Sequence, residues 1–236
     1  MSDVERRAPI ALTTLYAVAM FGVAALVVFA IVANGVEHSG ALTRFDLRDF
    51  SRRQSTVTAE GARFYVIVSL VGSPASMTIL AALGALRFGW QRHMLLLVSW
   101  IIAFAGAGLL VVILKRTIHR SRPDGAGLFL HGTSLSFPSG HAVGSMVGFG
   151  MLTYVLLRCR VTGHASRAGV VATASLIVGL IAYSRLYLGV HYISDVIAGL
   201  ALGTVWLIIC VGAAEFARRH GPPLAHGRRA ARNRRR

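Results

Sequence analysis

Apolar residues gather along this chain in six runs separated by short polar stretches, at 10–33, 64–86, 94–114, 142–157, 168–183 and 192–214. About 20 apolar residues in a helix cross a bilayer. The pattern therefore predicts an all-α fold, a bundle of six transmembrane helices. The fourth and fifth runs are short, which a membrane tolerates where a span ends in a protein-lined cavity. The first run follows Arg6-Arg7 and is too long for a signal-peptide core, so it reads as an uncleaved anchor, although Ala30-Ile31-Val32-Ala33 imitates a cleavage site. Gly72-Ser73-Pro74 predicts a kink in the second run. Between the first two runs, 38–61 is polar with Leu42, Phe45, Leu47 and Phe50 interleaved. That segment fits a helix lying on the outer leaflet and fits an ordinary loop equally well.

Composition strengthens the membrane reading. The chain is 55% hydrophobic and only 14% charged, against about 25% charged in soluble domains, and its mean hydropathy is +0.62. The formal net charge is +16, with Lys115 the single lysine. On a soluble protein such a charge would suggest nucleic acid. Here the arginines flank apolar runs, so they read as topology signals and no nucleic-acid partner is expected. With the N-terminus inside, Arg6, Arg7, Arg87, Arg92, Arg158, Arg160, Arg167 and the tail are cytoplasmic. The bias is moderate, and clearer once Lys115, Arg122 and Arg185 are set aside as a binding site. Both termini are then cytoplasmic. Residues 1–216 form the membrane domain and 217–236 a basic, disordered tail suited to anionic lipid. Cys159 and Cys210 have no partner motif and read as packing residues.

Of the nine acidic residues, Asp195 alone opens a long apolar run. An ionisable group at membrane depth is costly and marks a functional site. His191 stands four residues before it, a spacing that puts both side chains on one helical face. A carboxylate beside an imidazole fixes its tautomer and supports positive charge on the ring. Arg185, in Ser184-Arg185-Leu186-Tyr187, adds a cation just upstream.

Two further segments carry candidate chemistry. In Lys115-Arg116-Thr117-Ile118-His119-Arg120-Ser121-Arg122-Pro123, Lys115 and Arg122 are two helical turns apart. They share a face if the third span runs outward that far, with Pro123 ending it. Two such cations can grip a phosphate; taken alone, the segment reads rather as a basic membrane flank. In Phe137-Pro138-Ser139-Gly140-His141, Ser139 is an N-cap candidate, Gly140 allows close backbone approach, and the helix N-terminus offers free amides to an anion. His141 can exchange a proton there. His119 and His131 have no assigned role, His119 reading as a surface residue. All three segments fall on one side of the six-span topology. No acidic or Cys/His cluster has metal-ligand spacing, so no metal or cofactor is expected.

These residues resemble the type 2 phosphatidic acid phosphatase superfamily, whose signature runs K-x6-R-P, P-S-G-H, S-R-x5-H-x3-D. All three parts are complete and in order, from Lys115 to Pro123, Pro138 to His141 and Ser184 to Asp195. Many relatives carry proline where this chain has Ile193. The resemblance implies a six-helix core, no metal requirement and a lipid phosphate substrate. It implies that His191 is the nucleophile and forms a phosphohistidine. Asp195 orients it, and His141 protonates the leaving oxygen and then activates water. Lys115, Arg122 and Arg185 hold the phosphate oxygens, with Ser139 and Gly140 assisting. With both termini inside, the site faces the outer, periplasmic side, and the arginine-rich, lysine-poor usage fits a GC-rich bacterial genome, so the expected location is the bacterial cytoplasmic (inner) membrane. Undecaprenyl pyrophosphate, phosphatidylglycerol phosphate, phosphatidic acid and lipid A phosphate are the substrates of similar enzymes.

Two other readings compete. A phosphotransferase would pass the same phosphoryl group to a lipid or sugar hydroxyl. A lipid or anion transporter would need the cations but not a His–Asp pair with a second histidine. The soluble haloperoxidase branch of the superfamily is disfavoured by six spans. Nothing in the sequence specifies an oligomeric state or selects one lipid.

Overall fold

The computed structural model describes residues 3–38, 40–123, 135–159, 161 and 163–220, with the backbone alone for 3–13 and 159. Eight helices are found in this part of the chain: α1 (Asp3–His38), α2 (Gly40–Gln54), α3 (Ala59–Val71), α4 (Pro74–Trp90), α5 (Met94–Ile118), α6 (Gly140–Cys159), α7 (His164–Tyr187) and α8 (Ile193–His220). Six stretches are long and apolar enough to cross a membrane, Thr14–His38, Ala59–Trp90, Met94–Ile118, Gly140–Arg158, His164–Tyr187 and Ile193–His220. The all-α, six-span expectation holds. The short appearance of the fifth run does not: α7 has 24 residues, because the polar flanks of the apolar run are helical too. For the same reason α8 continues to His220, past the boundary expected at residue 216. The basic tail from 221 and His131 lie outside the described residues, as does the Cys159 side chain.

Gly72-Ser73-Pro74 breaks the second span rather than kinking it. Gly72 ends α3, and the Ser73 hydroxyl caps α4 by accepting from the Ser76 amide at 3.1 Å, with Pro74 in the first turn. This is the ordinary chemistry of a helix start. The two halves then go to different partners: α3 packs on α7, and α4 on α5 and α6. The 38–61 stretch is mostly helix, α2, so the loop alternative is set aside. Phe45, Leu47, Arg44 and Arg48 of α2 are exposed, while Asp46 is fully buried.

Helix α8 is central and packs against α1, α2, α5, α6 and α7. Its partners approach closely because small residues line it, as expected where helices pack in a membrane. At Gly199 a Cβ would lie 2.8 Å from the Ser139 carbonyl oxygen and 2.9 Å from Ala142 Cβ. Glycine there lets the start of α6 rest on α8. Trp100, Ala103, Ala107, Val143, Val147, Met151, Leu202 and Cys210 form the main apolar cluster below that point, which agrees with a packing role for Cys210. The helix ends at His38, Gly40, Gln54, Ala59, Ile118, Gly140, Tyr187 and Ile193 lie at one end of the bundle, and those at Trp90, Met94, Cys159 and His164 at the other. Every segment with candidate chemistry is therefore at the first end.

Candidate active site

The site begins where α5 stops. Lys115 is in the last turn, and its ammonium donates to the Leu135 carbonyl. His119 then takes a left-handed conformation (φ 49°) and ends the helix. Arg122 is consequently not on the Lys115 helical face, contrary to the expectation from spacing. It comes back to the site on a non-helical segment. There its Nη1 donates to the Val190 carbonyl at 2.7 Å and stands 3.2 Å from His191 Nε2. His119 is exposed, in agreement with a surface position.

His191 likewise precedes its helix. The chain leaves α7 through Gly189 (φ 66°), a left-handed turn that favours glycine, and α8 starts only at Ile193. His191 and Asp195 therefore do not share a helical face, but the pair forms all the same. Asp195 folds back over the helix start, its Oδ2 accepting from the Tyr192 amide at 2.9 Å and lying 3.4 Å from His191 Nδ1. The Ser136 hydroxyl donates to the same oxygen and lies 3.4 Å from Nδ1. His191 is buried, and burial pulls its imidazole down to about 4, with Asp195 opposing the shift and Arg122 and Arg185 adding to it. The resting ring is neutral at ordinary pH.

Helix α6 delivers Ser139, Gly140 and His141. Ser139 precedes the helix. Its carbonyl accepts from Val143 N at 3.1 Å, and its own amide donates to the Asp195 carbonyl at 3.0 Å. Its hydroxyl caps nothing, however: Oγ is buried with no hydrogen-bond partner. Arg185, in the last turn of α7, is also buried. Its Nη1 donates to Ser69 Oγ of α3, while Nε has no partner. Buried donors are nearly always paired, so these two are donors with hydrogen-bonding capacity to spare. His141 is within electrostatic reach of Arg185, His191, Arg122 and Lys115, so the side chains named from the sequence do meet at one place. Among the described residues no group of three or more His, Cys, Asp or Glu side chains is arranged to hold a metal ion.

An apolar cavity of about 630 Å³ opens beside this site between α4, α5 and α6. It runs from Gly140 and Val111 down to Trp100 and Ala85. Over the α5 stretch from Val111 to Trp100 that is about 16 Å of depth.

Sequence reasoning missed the far side of Asp195. Arg120 Nη1 donates to Asp195 Oδ1 at 2.7 Å and to Ser194 Oγ at 2.6 Å, while its Nη2 donates to Asp46 Oδ2 at 2.6 Å. Its guanidinium carbon also lies 4.3 Å from the centre of the Tyr192 ring. Ser194 donates to Asp46 through Oγ at 2.5 Å and through its amide at 3.3 Å. Arg120 belongs to the Lys115–Pro123 segment, but its spacing carries no sign of Asp195, which it meets only because α5 ends at Ile118 and the chain turns. Asp46, Ser136, Ser194 and Ser69 carry no spacing signal toward the site.

Fold and composition define a multi-pass helical membrane protein, with its buried ionisable groups gathered at one end. The chain belongs to the PAP2 superfamily, whose model matches residues 92–219, and it is a phosphoric-ester hydrolase that acts on lipids. The Bacillus subtilis phosphatidylglycerophosphatase B is 34% identical over 146 residues, covering 62% of this chain and 69% of its own length. The decaprenylphosphoryl-5-phosphoribose phosphatase of Mycobacterium tuberculosis is 36% identical over 138 residues, 56% of this chain and 68% of that one. The crystal structure of a transmembrane PAP2 type phosphatidylglycerolphosphate phosphatase from Bacillus subtilis superposes with a TM-score of 0.75 at 27% identity, over 84% of this chain and 98% of that chain.

Proposed function

We propose that this protein removes phosphate from a lipid phosphomonoester or pyrophosphate through a phosphohistidine on His191. The observation that carries the reading is the unequal setting of the two ring nitrogens. Nδ1 faces the Asp195 carboxylate, and Nε2 faces Arg122. With the proton on Nδ1, the Nε2 lone pair is directed at the place where the cations would hold a phosphoryl group.

In the first step Nε2 attacks phosphorus, the P–N bond forms and the P–O bond to the lipid breaks. Protonated His141 gives its proton to the departing lipid oxygen. The ring of His191 becomes positively charged, and Asp195 stabilises it. In the second step water attacks phosphorus, its proton goes back to His141, the P–N bond breaks and phosphate leaves. Arg122, Arg185 and Lys115 neutralise the oxygens throughout. The unpartnered Ser139 Oγ and Arg185 Nε supply further donors, and the first amides of α6, at Gly140, add an anion-binding helix end. The apolar cavity reaching Gly140 is suited to a hydrocarbon chain. The relatives act on a phosphatidylglycerophosphate, a decaprenylphosphoryl sugar phosphate and, in Rhizobium johnstonii, lipid A, by their names; a headgroup of that general kind is the substrate class proposed here. The arginine distribution supports a site on the outer face of the membrane, with both termini in the cytoplasm.

The test is phosphate release by the purified protein from phosphatidylglycerol phosphate, phosphatidic acid, a lipid A phosphate and undecaprenyl pyrophosphate, with no added acceptor. Release from at least one lipid is expected, and a requirement for an alcohol acceptor would turn the reading to phosphotransfer. His191→Ala should lower turnover by ~10⁴ or more while the protein still inserts in the membrane. Retention of full turnover in that variant would remove His191 as nucleophile.

A further inference from the structure

Asp46 lies outside the 92–219 stretch that defines the family match, yet it is one of the most completely buried ionisable groups in the molecule. It is carried on α2, away from the three signature segments in sequence, and it reaches them through one residue. Arg120 stands between two carboxylates, 2.6 Å from Asp46 on one side and 2.7 Å from Asp195 on the other. Asp195 thus faces His191 with one oxygen and a full guanidinium with the other.

That second contact is a difficulty for the chemistry. A guanidinium paired to one carboxylate in a dry site neutralises it. Asp195 alone with Arg120 would offer His191 little net negative charge. Around the ring the other charged groups are unfavourable to an imidazolium: Arg122 from the segment after α5 and Arg185 from α7. Asp46 changes the balance. With it, the Asp46–Arg120–Asp195 chain carries one net negative charge rather than none, and Arg120 is shared between two carboxylates.

We infer that Asp46 is a positioning residue for the reaction: it draws the charge of Arg120 away from Asp195, so that Asp195 can support the positive ring that forms when His191 takes the phosphoryl group. The inference rests on the proposed roles of His191 and Asp195. It also gives α2 a purpose. Ser194 donates twice to Asp46, and Arg53 of the same helix donates to the Leu186 carbonyl at 2.6 Å, so α2 is fastened to both α7 and α8 beside the site. Ser194 then holds Asp46 in register while Arg120 transmits its charge.

The experiment is a double-mutant cycle on full-length protein in detergent, with release of phosphate from dioctanoyl phosphatidic acid in mixed micelles. Asp46→Asn should lower kcat about tenfold or more, the range seen when a partner behind a working group is removed, and leave KM within about twofold. Asp46→Asn combined with Arg120→Gln should be faster than Asp46→Asn alone, because the unbalanced guanidinium is gone. A residue needed only for folding gives no such recovery. Asp46→Asn with kcat within about twofold of the parent, or a double variant no faster than the single one, would overturn the inference. If Asp46→Asn does not purify as a folded species, Asp46→Glu decides. Preserved kcat supports a role for the charge, and loss of kcat overturns it. His191→Ala, assayed alongside, separates the two levels: if it stays active, the reading of the site fails, and if it is inactive while Asp46→Asn is unaffected, only the role of Asp46 fails.

Discussion

Two clusters of carboxylates and arginines clamp this bundle, one at each end, and they differ in dryness. At the site end, Asp46 and Asp195 have no exposed side-chain surface and Arg120 has 11%. At the opposite end, Glu215 of α8 is 26% exposed, with Arg158 of α6 and Arg218 at 39% and 41%. The Tyr154 hydroxyl also donates to Glu215 at 2.9 Å. The wet cluster is an ordinary surface clasp of the kind worth about 0–1 kcal/mol. The dry one is different. Burying an ion pair brings a desolvation cost of several kcal/mol per ion that the attraction barely offsets, so stability is a poor reason to build one. On the mechanism proposed above, its reason lies in what it does to His191. Similar residues at the two ends thus serve different purposes, and solvent access is what separates them.

The comparison can be broken in four further ways. Removing charge at the dry end should be the most damaging. Asp195→Asn leaves the shape but not the carboxylate, and turnover should fall by ~10³ to 10⁴, by analogy with the partner aspartate of a serine-protease triad. Phosphate-release assays at saturating lipid measure it, and a loss smaller than that from a change at Glu215 would reverse the ranking. Next comes pH. A buried neutral His191 with its value near 4 keeps its lone pair through the mildly acidic range. On the proposed mechanism protonation removes the nucleophile, so in kcat/KM, corrected for substrate ionisation, the loss of about tenfold per unit that belongs to His191 should begin only below about 4, separate from any limb set by the His141 acid. An acid limb near 6.5 would mean that the site is wetter than its geometry indicates.

The third test leaves charge untouched. Gly199→Ala places a methyl 2.8 Å from the Ser139 carbonyl. Overpacking of this kind costs about 1–3 kcal/mol. The start of α6 should shift, raising KM and lowering thermal stability together, as read by inhibition constants for inorganic phosphate and by the melting temperature. The smallest effect belongs to the wet end. Glu215→Gln should change stability by at most about 1 kcal/mol and turnover by less than about twofold. A large loss of activity there would show that the two clusters are coupled through α8.

Much of the architecture was legible because a membrane imposes a simple rule on sequence. Spans must be long and apolar, and the six runs became six spanning stretches. Their ends were harder to place. The polar residues that flank α7 and α8 are helical, and hydropathy registers lipid exposure, not hydrogen bonding. Helix-periodic reasoning failed at both working pairs: Lys115 with Arg122, and His191 with Asp195. In each, one partner stands off the helix, because His119 and Gly189 turn the chain through left-handed conformations. The side chains still meet, since a turn can fold a residue back as well as a helix can carry it round. Ser136, Ser194, Asp46 and Arg120 were not found from sequence order, for their role depends on neighbours tens of residues away.

By itself the sequence determined the fold class, the spans and the residue types a phosphoryl site requires, because hydrophobic length and the kind of ionisable group are local properties of a chain. Only the tertiary structure decided which of the many arginines faces Asp195, that α2 brings a second buried carboxylate to it, and that Ser139 Oγ and Arg185 Nε are buried without a partner. Those are matters of distance and exclusion of water, and both arise only when separate segments pack against one another.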